Sequence, residues 1–82
     1  MKDYASIVKT IVAPLLEDAS SLDVKVLPTA NDNEVKILVI AKEDQIPRLI
    51  GKAGKNANAI RQLIRAAASD EGKKILVDFE AF

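Results

Sequence analysis

The 82-residue chain contains no cysteine, no histidine and no tryptophan, and only three glycines, three prolines and three aromatic residues. Each shortage closes off a class of protein. Without cysteine and histidine there is no disulfide framework, no thiolate nucleophile and no zinc site of the common soft kind. A general base near neutral pH would have to be a strongly shifted carboxylate or lysine. The longest apolar runs, Ile11–Leu16 and Ile37–Ala41, fall far short of the roughly 20 residues of a membrane span. The N-terminal pattern is broken by Asp3 and Lys9, unlike the apolar block of a signal peptide. A cytoplasmic protein without a membrane span is expected.

With 49% hydrophobic and 29% charged residues, the composition is that of a folded domain rather than a disordered chain. Residues 1–82 suffice for one domain, with a folded surface of about 4,800 Å². Twelve basic and twelve acidic residues cancel, but unevenly. From Gln45 to Ser69 the charges are Arg48, Lys52, Lys55, Arg61 and Arg65, with no acid among them, so this segment is +5 and the remainder 7 − 12 = −5. One restricted surface could therefore attract a polyanion.

Tyr4, Ile7, Val8, Ile11, Val12, Leu15, Leu16 and Ala19 recur at helical spacing behind Asp3, an N-cap residue. Pro14 predicts a kink within that helix, since the period continues beyond it. Leu22–Pro28 alternates as a strand with Leu22, Val24 and Val26 inward; Asn31-Asp32-Asn33 is a turn; Val35–Ala41 is a central strand of nearly continuous apolar character. Asp44–Ile50 reads as a short helix ended by Gly51, Lys55–Ser69 as a longer one stopped near Gly72, and Lys74–Glu80 as a last strand with Ile75, Val77 and Phe79 inward. The order is α-β-β-α-α-β. It predicts a two-layer α+β domain: three helices on one face of a three-stranded mixed sheet, the last strand parallel to the second.

The segment Ile50-Gly51-Lys52-Ala53-Gly54-Lys55 joins two helices and carries the chemistry. Two glycines remove the Cβ atoms that hold another backbone at a distance. The turn leads into a helix whose first amides, those of Lys55, Asn56 and Ala57, are expected to lack partners and to favour a phosphate oxygen, with Lys52 and Lys55 adding charge. It is not a P-loop, which needs four residues between its glycines and Lys-Ser/Thr after them, nor a dinucleotide fingerprint, which needs three glycines. The bland alternative is a helix stop and a tight turn with no ligand. On the following helix Lys55, Asn58, Arg61, Gln62, Arg65 and Ser69 share a face. Asn58 and Arg61 are candidates for phosphate or base contacts, as is Arg48 in the preceding helix, whereas Arg65 reads as solvated.

Gly-x-x-Gly between two short helices, preceded by Leu49-Ile50 and set within α-β-β-α-α-β, resembles a KH domain of the type II topology. The stretches Ile7–Leu15, Ile50–Lys55 and Ala59-Ile60-Arg61 are similar to the KhpA family of small bacterial single-KH proteins. Such a loop clamps the backbone of about four single-stranded nucleotides. The resemblance implies single-stranded RNA as partner, Gly51-Lys52-Ala53-Gly54 as the clamp, and a role as RNA chaperone or post-transcriptional regulator. In some bacteria such proteins pair with a larger KH protein, KhpB (Jag or EloR). Ala53 departs from the basic or polar residue frequent at its position, and Ala57 from a frequent aliphatic, for which Ile60 can substitute.

Tyr4, Phe79 and Phe82 do not alternate along a sheet face, which argues against an aromatic base-stacking platform. Bases would meet an aliphatic groove to which Ile46, Ile50 and Leu38 contribute. Besides its core stripe, the long helix carries a second apolar stripe, Ala59, Leu63 and Ala66, either covered by the first helix or exposed as a contact surface for a homodimer. The acidic residues are scattered and form neither a metal site nor a carboxylate dyad. No cofactor and no catalysis are expected. Two readings stay open: an RNA-binding module, and a protein-interaction adaptor that dimerises with itself or with a KhpB-like partner.

Overall fold

Asp3 starts the first helix as an N-cap, its Oδ1 accepting the Ser6 N–H at 3.1 Å. In the computed structural model, which describes residues 3–82, α1 spans Tyr4–Val12. Here the structure departs from the sequence expectation. The chain does not continue as a kinked helix to Ala19. A single 3-10 turn, Ala13–Leu15, follows α1, and Leu16 is extended (φ −101°, ψ 145°). Pro14 has no N–H to give to a carbonyl one turn back, and the ladder ends there. Leu15 and Leu16 still pack against the core, so the apolar period outlasts the helix. The loop beyond is tied by Asp18, whose carboxylate accepts from the Ser20 hydroxyl at 2.6 Å and the Ser20 N–H at 3.0 Å.

β1 (Asp23–Leu27) and β2 (Glu34–Ala41) form an antiparallel hairpin in which Val24 faces Val39 and Val26 faces Ile37. At its turn the Asn31 side chain accepts the Asn33 N–H at 2.9 Å, and the Asn31 carbonyl accepts the Glu34 N–H at 3.0 Å. α2 (Ile46–Ile50), α3 (Lys55–Ala68) and β3 (Lys74–Ala81) follow. β3 runs parallel to β2, and the order β1-β2-β3 makes β2 central. The expected α+β architecture is therefore present, with two longer helices and a five-residue α2.

Burial alternates strictly along β2. Val35, Ile37, Val39 and Ala41 are buried beneath the helices, while Glu34, Lys36, Leu38 and Ile40 lie on the open face. Tyr4, Val8 and Val12 from α1, Leu49 from α2, and Ile60, Ile64 and Ala68 from α3 complete the core. The accessible surface is 5054 Å², close to the expectation from mass. Val26 differs from its expected inward role: it is 41% exposed, because the helical layer covers Val24 but stops short of the next inward position on this edge strand.

Tyr4 links the two ends of the helical layer. Its buried phenol hydroxyl, which has no hydrogen-bond partner among the described residues, lies near Glu71 in the 3-10 turn Ser69–Glu71 that follows α3. Burial first, and then the nearby carboxylates of Glu71 and Asp70, raise its pKa above the ordinary 10.0. A pKa raised by folding means that the neutral phenol is favoured in the native state. The associated stability is present below the unfolded pKa and disappears as pH rises through the folded one. Tyr4 is the single tyrosine and there is no tryptophan, so ultraviolet titration reads it directly. We expect ionisation later than in a denatured control, and a steep alkaline loss of stability that Tyr4→Phe flattens.

Candidate nucleic-acid interface

The corner between α2 and α3 is built from left-handed backbone. Gly51 ends α2 at φ 74°, ψ 174°, a region open essentially to glycine alone. A 3-10 turn over Lys52–Gly54 follows, with Ala53 at φ 56°, ψ 27° and Gly54 at φ 75°, ψ 15°. Ala53 is the one non-glycine residue with positive φ among the described residues. That conformation costs an L-residue about 1–2 kcal/mol.

Asn56 holds the corner closed. Its Nδ2 donates to the Arg48 carbonyl at 2.9 Å, occupying an acceptor near the open end of α2. Its side chain also fills the space a Cβ on Gly51 would need, with Cγ 2.8 Å from that position. Gly51 is thus required twice, by φ and by the close approach of Asn56. Nothing lies within 4 Å of a Cβ on Gly54, which is required by φ alone. The Asn56 side chain was absent from the sequence-derived site, where only its amide was named. At the start of a helix an asparagine reads as an ordinary polar residue, and no spacing rule announces its tie to Arg48.

The corner is open to solvent, with Lys52, Ala53 and Lys55 exposed. Its amides are distributed differently from expectation. The Lys55 N–H donates to the Lys52 carbonyl and the Gly54 N–H to the Gly51 carbonyl at 3.2 Å, so the Lys55 amide is engaged. The Gly51 N–H is likewise engaged, by the Pro47 carbonyl at 2.9 Å. Among the described residues the amides of Lys52 and Ala53 donate to nothing. Two donors that the sequence reading did not include therefore sit inside the turn, ahead of the helix start.

The other expected residues divide. Asn58 and Ile50 are exposed beside the corner, Ile50 at 37%. Arg48 is exposed and pairs with Glu17 from the loop before β1, which offsets its charge. Arg61 is not a free cation on a wet face. It is half-buried, and its Nε and Nη2 donate to the Val77 carbonyl at 3.2 and 3.1 Å. Leu38 cannot share a groove with Ile46 and Ile50, because it occupies the open face of the sheet, beside Lys25 and Asp78 and away from the helices. Ala57 and Ile60 are both buried, so the small residue at 57 leaves the core contact to Ile60. α1 does not cover the second stripe of α3: Ala59, Leu63 and Ala66 are exposed, Leu63 at 54%.

With this geometry the comparisons with known proteins are decisive. The model of the KhpA/KhpB KH domain matches residues 5–79. The chain belongs to that family. An RNA-binding protein KhpA of Caldanaerobacter subterraneus subsp. tengcongensis is 35% identical over 72 residues, covering 88% of this chain and 93% of that protein. The RNA-binding protein KhpA of Listeria monocytogenes is 32% identical over 72 residues, covering 88% and 92%. In the crystal structure of a single-substitution variant of Aquifex aeolicus Era bound to GDP.AlF4-, a region making up 29% of that chain superposes on 95% of this one with a TM-score of 0.66 at 24% identity, a likeness of fold. Among the described residues no three His, Cys, Asp or Glu side chains gather as a metal site, and no helix is long and apolar enough to cross a membrane.

The two glycines of this corner should respond differently to alanine. Gly54→Ala should cost the left-handed penalty of about 1–2 kcal/mol. Gly51→Ala should cost more, because its methyl also displaces Asn56. Denaturant midpoints of the two variants measure the difference, and equal losses would contradict the role given to Asn56.

Proposed function

We propose that this chain is a non-catalytic single-stranded RNA-binding protein whose Gly51-Lys52-Ala53-Gly54 loop grips the RNA backbone, serving as an RNA chaperone or post-transcriptional regulator. The observation that carries the reading is the pair of uncommitted amides at Lys52 and Ala53 in an exposed corner flanked by Lys52 and Lys55. Amides converging from a left-handed turn form an anion-binding concavity, and the two lysines supply charge. The family's KhpA members, RNA-binding by name, point the same way. Ile50 and Asn58 border the strand's path, while Arg48 contributes less because Glu17 already pairs with it.

Neutralising three or four phosphates of a single strand gives a slope of log K against log salt of about −2 to −3. Replacing Lys52 and Ala53 with Asp places carboxylates where the phosphate would sit. Titration of labelled single-stranded RNA, followed by fluorescence anisotropy, should show binding lost in the double variant. Undiminished binding would refute the clamp.

A second role is supported by the 54% exposure of Leu63 between Ala59 and Ala66. Small residues around one leucine let two helices cross closely, so this stripe suits a two-fold homodimer or a heterodimer with a KhpB-like protein. Two linked RNA sites would then raise avidity. Leu63→Arg should yield a monomer in analytical ultracentrifugation, and an unchanged dimer would remove this surface from the account.

A further inference from the structure

Arg61 stands where α3 meets the free edge of the sheet. β3 pairs with β2 on one side only. Arg61 takes the Val77 carbonyl with two donors, and its guanidinium carbon lies 5.6 Å from the centre of the Phe79 ring. The two bonds and the ring fix the guanidinium plane. Of its five N–H donors two are used, and both lie on the edge formed by Nε and Nη2. The fork formed by the two terminal nitrogens is left over. Among the described residues no carboxylate pairs with Arg61, although the side chain is half-buried.

A partly desolvated, oriented cation with a vacant fork calls for two acceptors side by side. A phosphate has them, but the exposed Lys52 and Lys55 already serve phosphates at the corner. A rigid plane instead suits a directional partner. In single-stranded RNA the bases are unstacked and open to readout on their edges. Guanine presents two adjacent acceptors on its Hoogsteen edge, O6 and N7, and unpaired cytosine two on its Watson–Crick edge, O2 and N3, whereas adenine sets its amino donor beside N7 and N1 and uracil sets N3–H between its two oxygens. Arg61 lies seven residues after Gly54, about 10 Å along the helix axis at 1.5 Å per residue. That is within the reach of a strand of about four nucleotides held at a Gly-x-x-Gly loop.

The geometry points to Arg61 as the residue that selects a base with two adjacent acceptors, guanine or cytosine, over adenine and uracil, reading them with its free fork while Val77 and Phe79 hold it in plane. This inference rests on the loop's reading as an RNA clamp. The test uses uridine oligomers with one central guanosine, inosine, 7-deazaguanosine, cytidine or adenosine, titrated against the intact chain. Guanosine, inosine and cytidine, each with two adjacent acceptors, should bind roughly tenfold more tightly than adenosine. The 7-deazaguanosine oligomer should fall between them. In Arg61→Lys, which keeps the charge but not the fork, the ratio of guanosine to adenosine affinity should collapse toward one. The modified bases need no variant, so the test survives even if Arg61→Lys fails to fold. Equal wild-type binding of all five oligomers, or a ratio unchanged in Arg61→Lys, would overturn this selection and leave the clamp standing. Failure of the wild-type chain to bind any oligomer would overturn the clamp and this inference together.

Discussion

The donation from the Asn56 side chain to the Arg48 carbonyl, across a backbone that must turn left-handed to permit it, is the constraint on which the rest depends. It joins the end of α2 to the start of α3 in the space a Cβ on Gly51 would need. With α2 stopped there, the chain needs positive φ at Gly51, Ala53 and Gly54 to enter α3. Those dihedrals leave the amides of Lys52 and Ala53 without a protein acceptor, while Gly54 and Lys55 bond within the turn. Strain, packing and unused hydrogen-bonding capacity therefore coincide in a few residues, and the site is their by-product. Backbone strain concentrated in this way accompanies function more often than chance would bring.

α3 then separates two tasks. Its buried stripe, Ile60, Ile64 and Ala68, anchors it over the sheet. Arg61 faces the edge of β3, and Leu63, two residues later, is turned about 160° away at 100° per residue. A strand running from the corner toward Arg61 would not collide with a partner seated on Ala59, Leu63 and Ala66. The neutral net charge fits this division. The acid-free stretch from Gln45 to Ser69 concentrates positive potential around α2 and α3, and the acids elsewhere discourage indiscriminate binding of polyanions.

Much of this was legible in the sequence because the relevant signals are local. Gly51 and Gly54 stand at positions where other residues are strained, the asparagines at 31 and 33 make the hairpin turn, and the alternation of Lys74–Glu80 marks a strand. The misreadings have physical causes. An apolar period reports burial and not hydrogen bonding, so Leu15 and Leu16 suggested a helix that Pro14 had already ended. In β2 the nearly continuous apolar run hid which face the helices cover, which put Leu38 on the wrong side. The ties made by the Arg61 and Asn56 side chains were opaque for another reason. Their partners are backbone carbonyls, those of Val77 and Arg48, and a carbonyl carries no mark in the sequence.

The most direct test follows the amides themselves. Backbone N–H resonances assigned by NMR, observed while single-stranded RNA is added, should show the Lys52 and Ala53 amides moving furthest, downfield as expected for a new charge-assisted hydrogen bond, and reverting as salt is raised. If RNA binds while those two resonances stay in place and others shift instead, the corner between α2 and α3 is not where the strand is held.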